Sequence, residues 1–140
     1  MAVTQATKSI TLVAGEDLRD KQFHLLEIVE FQGIGVVKLT GQSSRPSCVL
    51  SMNPNENIDT NGLGVPVALL QGVFKVKSFA DITAGQYVMP SQSVDEKGTV
   101  TGVDTIYDIP IETISIGIAL ETVSAGAVFE VFAQITRYGV

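Results

Sequence analysis

The sequence predicts an all-β fold, a compact β-barrel or β-sandwich with a flexible N-terminal arm. Three observations predict it. Side chains in the last third alternate with a period of two, short apolar runs elsewhere are separated by Gly, Pro, Ser and Asn clusters, and no stretch sustains a helical period. Thirteen glycines and five prolines supply the punctuation between at least seven strand candidates. A chain of 140 residues is simplest as one domain, large enough to close a core without disulfide or metal. We assign residues 1–9 to the arm and 10–140 to a single β domain.

Ala2, Val3, Thr4, Gln5, Ala6, Thr7 and Lys8 run on to Ser9 without any period, which is why they read as an arm. Ile10, Leu12 and Ala14 then alternate with Thr11 and Val13 up to Gly15, a short strand closed by a turn. The segment Glu16 to Gln32 is ambiguous. Leu18, Leu25 and Val29 have helical spacing behind an acidic start, yet Phe23 to Phe31 also reads as a half-buried strand. Its Phe, Ile and Val content, the bounding Gly33 and the β context favour the strand. Short strands follow at Gly35 to Thr40, Cys48 to Met52, Val65 to Leu70 and Val73 to Ser78. Pro66 predicts a strand start or an edge, since proline has no N–H for a ladder.

The C-terminal third carries the strongest pattern. Ile114, Ile116, Ile118 and Leu120 fall on one face, with Ser115, Gly117, Ala119 and Glu121 on the other. After Ser124, Ala125 and Gly126, the residues Phe129, Val131, Ala133 and Ile135 alternate against Val128, Glu130, Phe132, Gln134 and Thr136. That is a hairpin with Gly126 supplying the turn. The aliphatic stripes suit a filled core. Phe132 points away from Phe129 and Val131, either into a second buried face or into a subunit interface. A weak internal similarity links 80–88 with 121–129, each a strand end, a β-branched residue, a hydroxyl, an Ala-Gly turn and a new apolar strand. It implies a reused hairpin motif rather than a solenoid.

Composition narrows function. The formal net charge is −6 with no cluster of Lys or Arg, so nucleic acid and anionic membrane surfaces are excluded as expected partners. No apolar run resembles a signal peptide or approaches the roughly 20 residues needed to span a bilayer. Only 17% of residues are charged against 45% hydrophobic. So apolar a surface favours an oligomer or assembly component over a solitary enzyme.

Chemistry-bearing constellations are few. His24 is the single histidine, with no serine or cysteine that the sequence can pair to it. Cys48 sits in the apolar run Cys48, Val49, Leu50, as an inert buried thiol would. Ser43, Ser44, Arg45, Pro46 and Ser47 lack the glycine-flanked elbow of a hydrolase, and Gly33-Ile34-Gly35 lacks the third glycine of a dinucleotide fingerprint. The pairs Asp95 with Glu96, Asp104 with Asp108 and Glu56 with Asp59 lie in hydrophilic connections, where solvated surface is the expectation. Asn57, Asp59, Asn61 and Gly62 imitate the start of a calcium loop. The first ligand is Asn rather than Asp and the twelfth position is Ala68 rather than Glu, so Asx turns are expected instead. No catalytic residue, cofactor or metal is assigned.

Three phrases carry a resemblance: Ile10-Thr11-Leu12-Val13-Ala14-Gly15-Glu16-Asp17-Leu18, Asp81-Ile82-Thr83-Ala84-Gly85-Gln86-Tyr87-Val88, and Ile116-Gly117-Ile118-Ala119-Leu120-Glu121 with Ser124-Ala125-Gly126. Taken together the chain resembles the capsid decoration (cement) proteins of tailed bacteriophages. The resemblance implies a β-barrel or sandwich that forms a homotrimer on the outer capsid surface and clamps neighbouring major capsid protein subunits. It carries over no catalytic residues. The unpatterned arm, Ala2 to Lys8, and Phe132, which alternation turns away from Phe129 and Val131, are the candidate partner-binding residues. A tail, baseplate or fibre component and a small-ligand-binding barrel are the alternatives.

Overall fold

The computed structural model describes residues 9–41 and 45–140. The arm residues Ala2 to Lys8, and Ser43 and Ser44 of the polar loop, lie outside the described residues. The fold is all-β. Ten strands are present among the described residues: β1 (Ser9–Val13), β2 (Leu25–Phe31), β3 (Ile34–Leu39), β4 (Cys48–Leu50), β5 (Gly64–Leu69), β6 (Val73–Lys77), β7 (Tyr87–Pro90), β8 (Val100–Val103), β9 (Ser115–Ala119) and β10 (Val128–Thr136). The ambiguous segment resolves as a strand from Leu25, with Leu18 buried in the irregular stretch before it. Gln32 and Gly33 both adopt left-handed φ angles of 51° and 85°, as a two-residue hairpin between Phe31 and Ile34 requires.

The strands form two antiparallel five-stranded sheets, ordered β1-β5-β4-β2-β3 and β6-β10-β9-β7-β8. The second order is the first with each strand replaced by the one five places later, so the two halves of the chain share one topology. Each sheet curls so that its outer strands meet. Ala14, just past β1, forms a parallel bridge with Val37 of β3, and Ser78, just past β6, forms one with Val100 of β8. The bonds that fix these corners correspond one to one. The Ala14 N–H donates to Leu63 O and the Gly62 N–H to Ala14 O, each at 2.8 Å. In the second half the Ser78 N–H donates to Ala127 O at 2.9 Å and the Gly126 N–H to Ser78 O at 3.1 Å. Gly62 and Gly126 both have φ of 84°, a left-handed geometry that costs glycine nothing.

The weak similarity between 80–88 and 121–129 has a different meaning from the one expected. The two phrases pair with each other, and only 121–129 turns a hairpin, between β9 and β10, since 80–88 joins β6 to β7, which are not neighbours. Ile82 and Val123 exchange both backbone hydrogen bonds at 2.9 Å, Thr122 Oγ1 accepts from the Ala84 N–H, and Asp81 accepts from the Ala125 N–H. The repeated unit is the whole half-chain, which the short phrases do not reveal.

The core has two parts. Inside the first sheet lie Ala14, Leu18, Leu26, Val37, Cys48, Leu50, Val65 and Val67. The second cluster gathers Phe74, Val76, Ile82, Val88, Val100, Ile116, Ala119, Phe129 and Val131 from the second half, together with Leu25 and Val49 from the first. Adjacent residues Leu25 and Leu26 therefore serve different cores, because successive side chains on a strand point to opposite faces. The first sheet fills its own interior with one face and stacks on the second half with the other. Backbone bonds stitch the junction: the Leu25 N–H donates to Gly98 O and the Lys77 N–H to Phe23 O.

Two expectations are corrected by register. Val131 stands opposite Ala119, and Phe132 opposite Ile118. Ala119 of the small-residue face therefore meets the core beside Phe129 and Val131, where Ile116 is also buried with Ile114 packed against it, whereas Ile118 is only partly buried and Leu120 is exposed. A Cβ on Gly117 would collide with the Phe132 carbonyl and the Val131 side chain, which explains a glycine in a central strand. A register shift between Ala133 and Thr136 then reverses the alternation of β10: Thr136 is buried and Ile135 exposed. Pro66 starts no edge, since β5 lies between β1 and β4. Its carbonyl accepts from the Ser51 N–H, beyond the last β4 residue, Leu50. A residue's N and O point to the same side, so its missing donor faces a place where β4 has already ended.

Substituting Gly117→Ala tests this register. Overpacking against β10 is expected to lower unfolding free energy by about 1–3 kcal/mol in urea titration, and a neutral result would show that β9 and β10 are paired differently.

Candidate interaction surface

Cross-strand pairing builds a continuous row on the outer face of the second sheet. Phe132 of β10 stands opposite Val73 of β6 on one side and Ile118 of β9 on the other. Ile118 stands opposite Tyr87 of β7, and Tyr87 opposite Val103 of β8. Directly opposed residues share a face with Cβ atoms about 5 Å apart, so these five residues form one apolar stripe across all five strands. Phe132, the candidate taken from the sequence, is 49% exposed, and the other four are partly buried. It fills no second core. Sequence reasoning missed Val73, Ile118, Tyr87 and Val103 as surface partners because it placed Ile118 with core aliphatics. The signal that finds them is the pairing register.

Along the same face, Lys75 stands opposite Glu130. A cleft of about 400 Å³ opens there, lined by Phe23, Lys75, Glu121, Val128, Phe129 and Glu130. The Glu121 carboxylate accepts the Glu130 N–H at 3.0 Å. Other exposed apolar groups lie at the tip of the β2–β3 hairpin, Phe31 and Ile34, and at the C-terminal turn, where Tyr107 and Tyr138 stack edge to face at 5.9 Å.

The remaining chemistry-bearing residues are engaged in the scaffold. His24 is 5% exposed, its Nδ1 3.2 Å from the Gln22 carbonyl. Burial pushes its imidazole below the ordinary value and nearby Lys21 and Lys77 act in the same direction, against the Gln22 carbonyl. Cys48 is buried, and desolvation pushes its thiol up to about 12. In the Asn-rich loop, Asn55 and Asp59 accept from the backbone N–H groups of Asn57 and Asn61, and Asn53 accepts from Gln22. The Asn55 and Asp59 bonds are Asx turns, their side-chain oxygens aimed at their own backbone, while the Asn53 bond ties the loop to the segment before β2. Among the described residues no group of three or more His, Cys, Asp or Glu side chains is placed to hold a metal ion.

No protein-family model matches the chain. No curated protein matches it. Among solved structures it is similar to the N base of the head fibre protein gp8.5 of bacteriophage phi29, with a TM-score of 0.68 and 17% sequence identity, covering 93% of this chain and 96% of that one. The likeness is one of fold, across nearly the whole of both chains.

The buried His24 sets a pH dependence. Its folded value lies below the unfolded one, so its contribution is complete above about pH 6.5 and is lost as pH falls below that, when the unfolded chain takes up the proton first. Thermal melts of the wild-type protein are expected to drop between pH 7 and 5, and His24→Gln should flatten that drop.

Proposed function

We propose that this chain is a structural protein of a tailed-phage head rather than an enzyme. It acts as a decoration (cement) protein on the outer capsid surface, bound as a homotrimer and stabilising contacts between neighbouring major capsid protein subunits. The observation that carries this reading is the likeness of fold to a phage head fibre base over 93% of the chain. The charge-poor composition and the exposed apolar stripe through Phe132 agree with a surface made for docking. In this reading the arm Ala2 to Lys8 reaches onto the capsid, and three modest contacts per trimer add through effective concentration to one tight attachment. Nucleic acid, membrane and cofactor have no part in it. The matched structure's description as a fibre base favours one second reading, that this chain is itself the capsid-bound foot of a longer projection.

Co-sedimentation with undecorated heads tests the proposal. Purified protein is expected to pellet with the heads and to raise the temperature at which they rupture. Removing residues 2–8 should weaken pelleting at least tenfold while leaving the thermal melt unchanged. Unchanged pelleting would remove the arm from the account, and failure of the full chain to bind heads would remove the cement role.

A further inference from the structure

The two halves of the chain share not only a topology but a register, and this makes their surfaces comparable position by position. In the first half, Val49 stands opposite both Leu25 and Ala68. In the second, Ile118 stands opposite both Tyr87 and Phe132. Ala68 also faces Ser9 as Phe132 faces Val73. The exposed stripe of the second half is thus the counterpart of the row through Leu25 and Val49 in the first. That first-half row is not exposed: Leu25 and Val49 are buried within the second half's core. The first half covers its neighbour with this face, and among the described residues the same face of the second half covers nothing.

The opposite end of the contact shows the complementary vacancy. Phe74, in the core that Leu25 and Val49 complete, is 3% exposed, whereas its first-half counterpart Ile10 is 44% exposed. Pro90 opposes Val100 as Ile28 opposes Val37; Pro90 is buried and Ile28 is 53% exposed. The first half therefore shows, at Ile10 and Ile28, apolar positions whose counterparts in the second half are buried, Phe74 among them in the core that Leu25 and Val49 complete. The chain carries both the knob and the seat of its own internal contact, each uncovered at one end among the described residues.

We infer that a second copy of this chain docks head to tail, its stripe around Phe132 and Ile118 seating on the first half of its neighbour around Ile10 and Ile28, so that the interface between copies repeats the interface within one chain. This contact is heterologous, using two different surfaces, and it closes into a ring when the rotation permits. The inference deepens the self-association proposed above and is independent of the capsid. It specifies which faces meet and that the partner is the same protein.

Light scattering with two surface variants provides the test. Wild-type protein is expected to elute as a closed oligomer of three copies, and Phe132→Asp and Ile10→Asp each as monomers with melting profiles like that of wild type. Each variant spoils one surface only, so mixing them restores a single intact contact and should yield a one-to-one dimer and nothing larger. Ile118→Asp substitutes for Phe132→Asp if the latter melts early. Monomeric wild-type protein at 100 μM would overturn both the trimer and this contact. Variants that remain trimeric would overturn the contact alone, leaving self-association by another face. Two monomeric variants that fail to combine would show a symmetric interface and overturn the head-to-tail arrangement.

Discussion

The second half of the chain is built around a core that its own five strands do not complete. Leu25 and Val49 of the first sheet sit in that core with Phe74, Phe129 and Val131, so burial of apolar area across the junction binds the two halves. This one stacking contact dictates much else. It forces β2 to serve two cores with successive residues, and it draws the 91–99 connection onto the first half, where a Cβ on Gly98 would crowd Leu39 and the Leu25 carbonyl. It also explains Phe23, held at a left-handed φ of 66°, whose N–H donates to Leu50 O and whose carbonyl accepts from the Lys77 N–H. A non-glycine residue accepts such a conformation where surrounding bonds over-determine it.

The same contact leaves the molecule with unsatisfied ends. A tandem repeat of two units covers one face of one unit and exposes the matching face of the other, as terminal units of any stacked array do. The apolar stripe across the second sheet is a consequence of that arithmetic of faces. A protein poor in charge and carrying such a stripe is suited to assembly; Cys48 is buried with its thiol held protonated, and the His24 ring bonds the Gln22 carbonyl.

Much of the fold was legible in the sequence because alternation, turn glycines and short apolar runs are local signals. The β9–β10 hairpin, β2 as a strand, and the Asx turns at Asn55 and Asp59 followed from them. What was not legible is pairing. Whether Ala119 or Ile118 faces the core depends on which residue of β10 lies opposite, and the shift after Ala133 reverses the face of Ile135 and Thr136 without any local sequence mark. The duplication was hidden for a related reason. The halves share hydrogen-bond positions at their corners, Ala14 with Ser78 and Gly62 with Gly126, while most of their other side chains differ. Of the candidate surface, Phe132 alone could be read in advance, since its partners on four other strands come together only through register.

Native-state hydrogen exchange on Leu25→Ala measures the central contact most directly. If this side chain closes the second half's core, protection should fall at Val88 and Val131 as much as at Val49, although both lie in the other sheet. Loss confined to β2, β4 and their own sheet would contradict the account, and would mean that the two halves stand independently.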